Sequence, residues 1–171
     1  FQAPIHPKVK FFFIYHKPDI NVCHKLYDVL RNGILTSDRT RTISPSLSSC
    51  IKQPFTTDKN GSICFENINT ALEEIKKQLE GKLFEKDTQY FAIYISPISK
   101  DDTDNSNHDL YNQLKELLLV NNILSQVIYR ERPHSNNFRY HLPNIAIAIL
   151  GKLGGIPWQI YNESPKKELV V

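Results

Sequence analysis

Four polar side chains in the last third of the chain have the types and the spacing of a phosphate-binding site. They are Tyr111, Lys115, Gln126 and Lys152. Tyr111 and Lys115 are four residues apart in a segment of helical character, which predicts that a phenol and an ammonium group project from one helix face. Two lysines, a phenol and an amide form a cationic pocket rich in hydrogen-bond donors. Such a pocket suits a terminal phosphate, which carries about −1.5 to −2 charges at pH 7.

Each of these residues also has an ordinary structural explanation when it is considered alone. A tyrosine near the start of an amphipathic helix is often half-buried in the core, and isolated lysines are usually solvated at the surface. Gln126 in an apolar strand is also explained by an exposed sheet edge. The phosphate-binding hypothesis therefore depends on the four residues together.

The elements that must position these residues alternate between strand-like and helix-like patterns. Runs of aromatic and β-branched residues predict strands at Lys10–Tyr15, Ser62–Phe65, Tyr90–Ile95, Ser125–Tyr129 and Trp158–Tyr161. Apolar residues at helical spacing predict helices at Asn21–Arg31, at Asn69–Leu79, around Tyr111 and Lys115, and at Pro143–Leu153. Asn107 or Asp109 is the predicted cap of the third helix, and Pro143 is expected in the first turn of the fourth. Polar segments predict loops at Ser96–His108 and Arg130–His141, and a loop with at most short strands at Thr36–Gly61.

This alternation predicts an α/β fold of Rossmann-like type, in which helices on both faces cover a mostly parallel central sheet. The strand at Tyr90–Ile95 is apolar on both faces, so we expect it to be central. Folds of this type bind ligands at the carboxyl ends of their strands. Tyr111 follows the Tyr90–Ile95 strand and Gln126 belongs to the next one, so we expect the two side chains to meet in a shared crevice.

Composition sets limits on the class of protein. The chain has 171 residues, of which 40% are hydrophobic and 23% charged, and these values predict one globular domain. A net charge of +3 is too small for general nucleic-acid binding but allows a local basic site. Three cysteines without a CxxC spacing argue against a disulfide framework and a zinc site, which predicts reduced thiols in the cytoplasm. No apolar run has the length of a membrane span, so no membrane partner is expected.

Several enzyme classes lack their sequence motifs in this chain. Neither G-x-x-x-x-G-K-[ST] nor G-x-G-x-x-G occurs, which argues against nucleotide hydrolysis and dinucleotide binding. The zinc-protease motif HExxH and the hydrolase motif GxSxG are also missing. The segment GKLGG at 151–155 places its lysine in a predicted helix rather than in a glycine loop. No catalytic residue is therefore predicted.

The order Tyr-Lys-Gln-Lys, followed by the segment KLGGIPW, resembles the MID domain of Argonaute and Piwi proteins. The resemblance runs from the segment FFFIYHKPD to the final ELVV. It implies that residues 1–167 form a MID domain and that residues 168–171 begin a truncated PIWI domain. It also implies that Tyr111, Lys115, Gln126 and Lys152 bind the 5′ phosphate of a single-stranded guide DNA or RNA, while Tyr111 stacks under the first base.

The resemblance implies partners and further contacts as well. In the family the PIWI domain carries the slicing acids, so we expect this chain to be a non-catalytic fragment that meets the PIWI domain in cis and the target strand through the full-length protein. Asn144 shares a helix face with Lys152 and corresponds to a contact with a later guide phosphate. The loop Ser96–His108 corresponds to the loop that contacts the first base. Arg130, Arg132 and Arg139 are candidates for contacts along the guide backbone.

One position departs from the pattern of eukaryotic Argonautes, which carry a second lysine where this chain has Ala148. Prokaryotic relatives commonly supply a divalent cation instead. The resemblance therefore implies a prokaryotic-type Argonaute, with a role in silencing or host defence, whose phosphate pocket is assisted by Mg²⁺.

Two other functions stay open at this point. One is a Rossmann-like enzyme or sensor that binds a small phosphorylated metabolite in the same basic crevice. The other is a degenerate MID domain that serves only as a protein–protein scaffold. A guide-binding module should accept any length of strand after a 5′-phosphorylated nucleotide and show no turnover, whereas a metabolite enzyme should prefer a compact ligand and consume it.

Overall fold

The computed structural model describes residues 8–38, 40–58, 61–99, 105–135 and 137–156 of the chain. Its strands, in chain order, are β1 Val9–His16, β2 Ile34–Leu35, β3 Thr42–Ser44, β4 Ile63–Phe65, β5 Gln89–Ser96 and β6 Ile123–Tyr129. Its α-helices are α1 Ile20–Asn32, α2 Leu47–Ile51, α3 Ala71–Glu80, α4 Asn105–Val120 and α5 Phe138–Lys152.

The central sheet has four strands in the order β4-β1-β5-β6, and every neighbouring pair is parallel. Strands β2 and β3 form a separate antiparallel pair. Helices α1, α2 and α5 pack on one face of the sheet, and helices α3 and α4 pack on the other. The predicted Rossmann-like α/β class is therefore confirmed.

The two central strands supply apolar side chains to both faces. Phe11 and Phe13 of β1 point into the core beside α1, α2 and α5, whereas Phe12 and Ile14 point into the core beside α3 and α4. Successive side chains of a strand point to opposite faces, so a continuous apolar run produces two cores. All eight residues of β5 are buried, which confirms the prediction that this segment is central.

The largest difference from the predicted elements is at α5, which begins at Phe138 rather than at Pro143. Pro143 thus lies inside the helix, where it lacks the N–H that would bond to the carbonyl of Arg139. The added turn buries Phe138 and Leu142 in the core. We infer that this apolar burial outweighs the cost of an internal proline.

Smaller differences concern α2 and α4. The predicted loop Thr36–Gly61 contains the short helix α2, which Ser46 caps by accepting a hydrogen bond from the backbone of Ser49. Helix α4 begins at Asn105, before both predicted caps, Asn107 and Asp109. The predicted strand Trp158–Tyr161 and the predicted domain boundary at residues 167–168 lie outside the described residues.

The described residues also show whether the cysteines are paired and whether any helix could cross a membrane. Cys23, Cys50 and Cys64 are all unpaired. Burial raises the pKa of the Cys23 thiol to about 12, so this thiol stays protonated and unreactive near neutral pH. No helix in the described part of the chain combines the length and the apolar character that crossing a bilayer requires.

Candidate functional site

Strand β6 carries the candidate residue Gln126. It is an edge strand in the sheet of the described residues. Ile123 and Val127 pack with the core beside α4, whereas Leu124 and Ile128 pack with the core beside α5. Gln126 falls in the second register, so its side chain lies on the face that α5 covers. Its Nε2 donates to the Val127 carbonyl oxygen at 3.0 Å.

Lys152 is the last residue of α5 and contacts the flank of β6. Its Nζ donates to the Ser125 carbonyl oxygen at 2.5 Å and to Gln126 Oε1 at 2.9 Å. An ammonium group has three donors, so one remains for a ligand. The contact also fixes the orientation of the Gln126 amide, because Oε1 must be the atom that accepts from the lysine.

Lys115 projects from α4 on the other side of β6 and is exposed. The pKa of Lys152 is lowered, first by partial burial and second by the positive charge of Lys115. The two ammonium groups therefore influence each other across the strand edge. Among the described residues, neither lysine forms an ion pair with a carboxylate.

Tyr111 lies one turn before Lys115 on α4 and is half-buried. Its ring packs against the core beside α3 and α4, as Val127 of β6 does. The ring therefore combines the core position expected of a helix tyrosine with partial exposure near β6. The contacts of the described residues join Gln126 to Lys152, and Lys115 acts on Lys152 through its charge, but none of these contacts includes Tyr111.

A pocket of about 250 Å³ extends from Gln126 toward the carboxyl end of β6. It runs between β6 and α5, and Asn144 contributes to its wall together with Arg132 and His141. Gln126 thus belongs both to the contact with Lys152 and to this pocket. Two residues predicted from sequence, Gln126 and Asn144, line one continuous depression.

Two of the three candidate arginines after β6, Arg130 and Arg132, contact different partners. Arg130 lies 3.7 Å from the Asp19 carboxylate, which is buried, so part of its charge is neutralised within the fold. Arg132 Nη1 lies 3.3 Å from His141 Nε2 at the pocket. Since the guanidinium can only donate, the imidazole nitrogen accepts in this contact.

The pocket contains a residue that the sequence does not predict, His141, and Tyr140 lies next to it in the chain. Pro143 is typical of the first turn of a helix, so the sequence predicts a loop at His141 and gives no role to Tyr140. Both lie in the first turns of α5. The four-residue step from Tyr140 to Asn144 was the available signal, and it becomes visible only when the helix is extended past the proline.

The position of the cluster differs from the expected crevice at the carboxyl ends of the strands. Gln126 is the fourth residue of the seven in β6, so Lys152 meets the middle of the strand. An edge strand exposes its flank, and α5 runs back alongside it until its last residue reaches that flank. Only the adjoining pocket reaches the carboxyl end, at Tyr129 and Arg132.

One of three comparisons with known proteins finds a protein of similar architecture. A scan against models of protein families finds no match, and neither does a search of curated proteins. Among solved structures, the chain is similar to the Argonaute protein from Methanocaldcoccus janaschii, with a TM-score of 0.58 and 21% sequence identity. The similarity covers 90% of this chain and 20% of that protein. The fold is Argonaute-like. The chain spans about a fifth of the length of that Argonaute.

Proposed function

We propose that this chain is a MID-type module that anchors the 5′-phosphorylated end of a single-stranded guide DNA or RNA. The observation that carries the proposal is the contact of Lys152 with Gln126, with no carboxylate pairing Lys152 or Lys115 among the described residues. The charge of Lys115 also acts on Lys152 and lowers its pKa. The Argonaute-like fold supports the same function. In the longer protein, a PIWI domain in cis and a target strand would be the further partners.

The free donors define how a phosphate would bind. Lys152 keeps one N–H after its contacts with Ser125 and Gln126, and Gln126 Nε2 keeps one after its contact with Val127. Lys115 adds a second ammonium group from the other side of the strand. A phosphate dianion at this point would receive charge-assisted hydrogen bonds and would relieve the repulsion between the lysines.

The expected selectivity follows from these charges. A hydrogen bond to a charged group contributes about 1.5–3 kcal/mol, which corresponds to roughly a tenfold to a hundredfold change in affinity for each lysine. A 5′-hydroxyl strand loses these contacts but keeps base stacking on Tyr111, which contributes about 1–3 kcal/mol. Phosphate discrimination is therefore assigned to the lysines and base contact to Tyr111.

The decisive experiment is a titration of the chain with two short oligonucleotides that differ only in a 5′ phosphate or a 5′ hydroxyl. We expect the phosphorylated strand to bind at least tenfold more tightly, and Lys115→Ala to remove most of this difference. Lys77→Ala, which removes an exposed lysine from helix α3, is the matched control and should change nothing.

Equal binding of the two strands would overturn the 5′-anchor function. If a compact phosphorylated metabolite then bound more tightly than any oligonucleotide and was consumed, the chain would be an enzyme. We propose instead that the module acts by binding alone, so the oligonucleotide should be recovered intact after prolonged incubation.

The family resemblance implies a Mg²⁺ ion near Lys152, which would need oxygen ligands from the surrounding residues. No cluster of three His, Cys, Asp or Glu side chains in the described part of the chain could hold a metal ion. Gln126 Oε1 already accepts from Lys152, and two ammonium groups repel a cation. The described residues therefore do not fit a metal ion held by the protein, and Mg²⁺ dependence of phosphate binding stays a prediction.

The position of Ala148 provides the test of that prediction. Ala148 lies one turn before Lys152 on α5 and is half-buried. We expect Ala148→Lys to bind the 5′-phosphorylated strand about tenfold more tightly and to make the affinity independent of Mg²⁺, because the added ammonium group supplies the missing charge. Ile147→Lys adds the same charge one position away and is the control. An affinity that is unaffected by Mg²⁺ in the unmodified chain would contradict the prediction.

A further inference from the structure

Tyr140 presents an aromatic ring to solvent at the start of α5. Its relative exposure is 61%. The Arg139 guanidinium carbon lies 4.7 Å from the ring centroid, and Arg139 Nη2 donates to the Tyr140 hydroxyl at 2.8 Å. A cation therefore lies over the ring, and more than half of the residue stays exposed to solvent.

The ring is aligned with the candidate phosphate site. Tyr140, Asn144, Ala148 and Lys152 follow each other at four-residue steps and so form one ridge along α5. With a rise of 1.5 Å per residue, Tyr140 lies about 18 Å from Lys152 along the helix. The pocket lined by Gln126, Asn144 and His141 occupies the space between the two ends.

The charge along this path favours a polyanion. Helix α5 contains the cationic residues Arg139 and Lys152 and no acidic residue. Arg132 adds a further guanidinium at the pocket. An exposed aromatic ring beside cationic side chains is the combination that binds single-stranded nucleic acid, because bases stack on the ring while the cations follow the backbone.

We propose that Tyr140, backed by Arg139, is a stacking platform for a base downstream in the strand whose 5′ phosphate is held at Lys152. This inference rests on the proposed function and extends it along α5. A stacked strand advances about 3.4 Å per nucleotide, and an extended strand advances more. The span of about 18 Å therefore corresponds to at most roughly five nucleotides, which places the stacked base between the third and the fifth nucleotide.

The test uses 5′-phosphorylated oligonucleotides of one, three, five and seven nucleotides and measures their affinity by fluorescence anisotropy. The unmodified chain should gain about tenfold in affinity once the strand reaches the platform. Tyr140→Ala should lose this gain and keep the affinity for the mononucleotide, which also serves as the check on folding. Tyr140→Phe should retain the gain, because the ring is preserved.

A set of seven-nucleotide strands with one abasic site each identifies the stacked base. An abasic site at the third, fourth or fifth nucleotide should weaken binding to the unmodified chain about tenfold and should have no further effect in Tyr140→Ala. If Tyr140→Ala bound every strand like the unmodified chain, the platform would be excluded and the exposed ring would be left for contact with another protein surface.

The two proposals fail in different ways. If only the platform is wrong, the preference for a 5′ phosphate and its loss in Lys115→Ala persist, while Tyr140→Ala and the abasic sites have no effect. If only the 5′ anchor is wrong, phosphorylated and hydroxyl strands bind equally, and Tyr140→Ala still weakens the binding of long strands of both kinds.

Discussion

Two pairs of lysines in this molecule differ in whether a carboxylate of the described residues is paired with them. At the start of β1, Lys8 and Lys10 both bind the carboxylate of Glu85. These contacts lower the pKa of Glu85 to about 2, and the hydrogen bond from Lys10 is the larger cause. The hydrogen bond between Lys10 and Glu85 also raises the pKa of Lys10. On the flank of β6, Lys115 and Lys152 have no such carboxylate among the described residues, and the pKa of Lys152 is lowered.

The difference indicates which positive charge is available to a ligand. The charge at Glu85 is already compensated within the fold, so an anion gains little there. No carboxylate of the described residues forms an ion pair with the lysines beside β6, and the charge of Lys115 makes the charged form of Lys152 less favourable until an anion arrives. Adding a carboxylate beside Lys152 should therefore compensate its charge, whereas removing the carboxylate of Glu85 should free the charges of Lys8 and Lys10 without supplying the groups that surround Lys152.

The largest effect is expected from Gln126→Glu, which places a carboxylate against Lys152 with almost no change of shape. The new ion pair would compensate the lysine and repel a phosphate, so we expect the affinity for a 5′-phosphorylated strand to fall about a hundredfold or more. Titration against the 5′-hydroxyl strand should show that its affinity changes much less.

The matched control for this substitution is Gln113→Glu. Gln113 is an exposed residue of α4, and the change adds the same charge away from Gln126. It should leave the preference for a 5′ phosphate intact. A Gln126→Glu variant that still preferred the phosphorylated strand would show that the pairing of the lysines does not decide where the anion binds.

The sequence was sufficient to predict the central sheet but not the ends of its helices. Phe11 and Phe12 belong to a short apolar run of aromatic and β-branched residues, which favours a strand buried on both faces, and the structure places them in the two cores. The start of α5 was predicted wrongly because Pro143 is a strong local signal. The burial of Phe138 and Leu142 that overrides it depends on residues distant in sequence.

The candidate site was predictable to a similar, limited degree. The side chains of Gln126 and Lys152 were named from residue type and order, and the structure brings them into contact. Their place on the flank of β6, rather than at its carboxyl end, depends on the length of α5, which the sequence did not reveal. The contact of Ser125 was not predictable, since it is made by a backbone carbonyl that carries no residue signature.

An intermediate effect is expected on the pKa of Lys152. Lys115→Ala removes the second cause of its lowering, so the pKa should rise toward 10.5 but stay below it, because partial burial remains. A nuclear magnetic resonance titration of the lysine side-chain signals measures this shift, with Lys77→Ala as the control. An unchanged pKa would place Lys115 too far away to share a phosphate.

In the unmodified chain, phosphate binding should weaken as pH rises through the lowered pKa of Lys152.

The smallest effect is expected from Glu85→Gln, which removes the carboxylate shared by Lys8 and Lys10. The pKa of Glu85 is about 2 in the folded chain, below its ordinary value of 4.5, so its contribution to stability is complete above pH 4.5 and is lost as pH falls toward 2. The melting temperatures of the variant and the unmodified chain should differ slightly above pH 5 and converge near pH 2. The difference stays small because the Glu85 side chain is 46% exposed and surface ion pairs contribute little.

The same variant separates free charge from a formed site. Glu85→Gln releases two lysines at the start of β1, whose ammonium groups donate to Glu85 and to no amide side chain among the described residues. Its affinity for both oligonucleotides should therefore change by less than about twofold, in line with the small contribution of exposed charges. Glu80→Gln, an exposed carboxylate at the end of α3, is the matched control. A gain in phosphate preference in Glu85→Gln alone would mean that two uncompensated lysines are enough, and that the geometry around β6 adds nothing to selectivity.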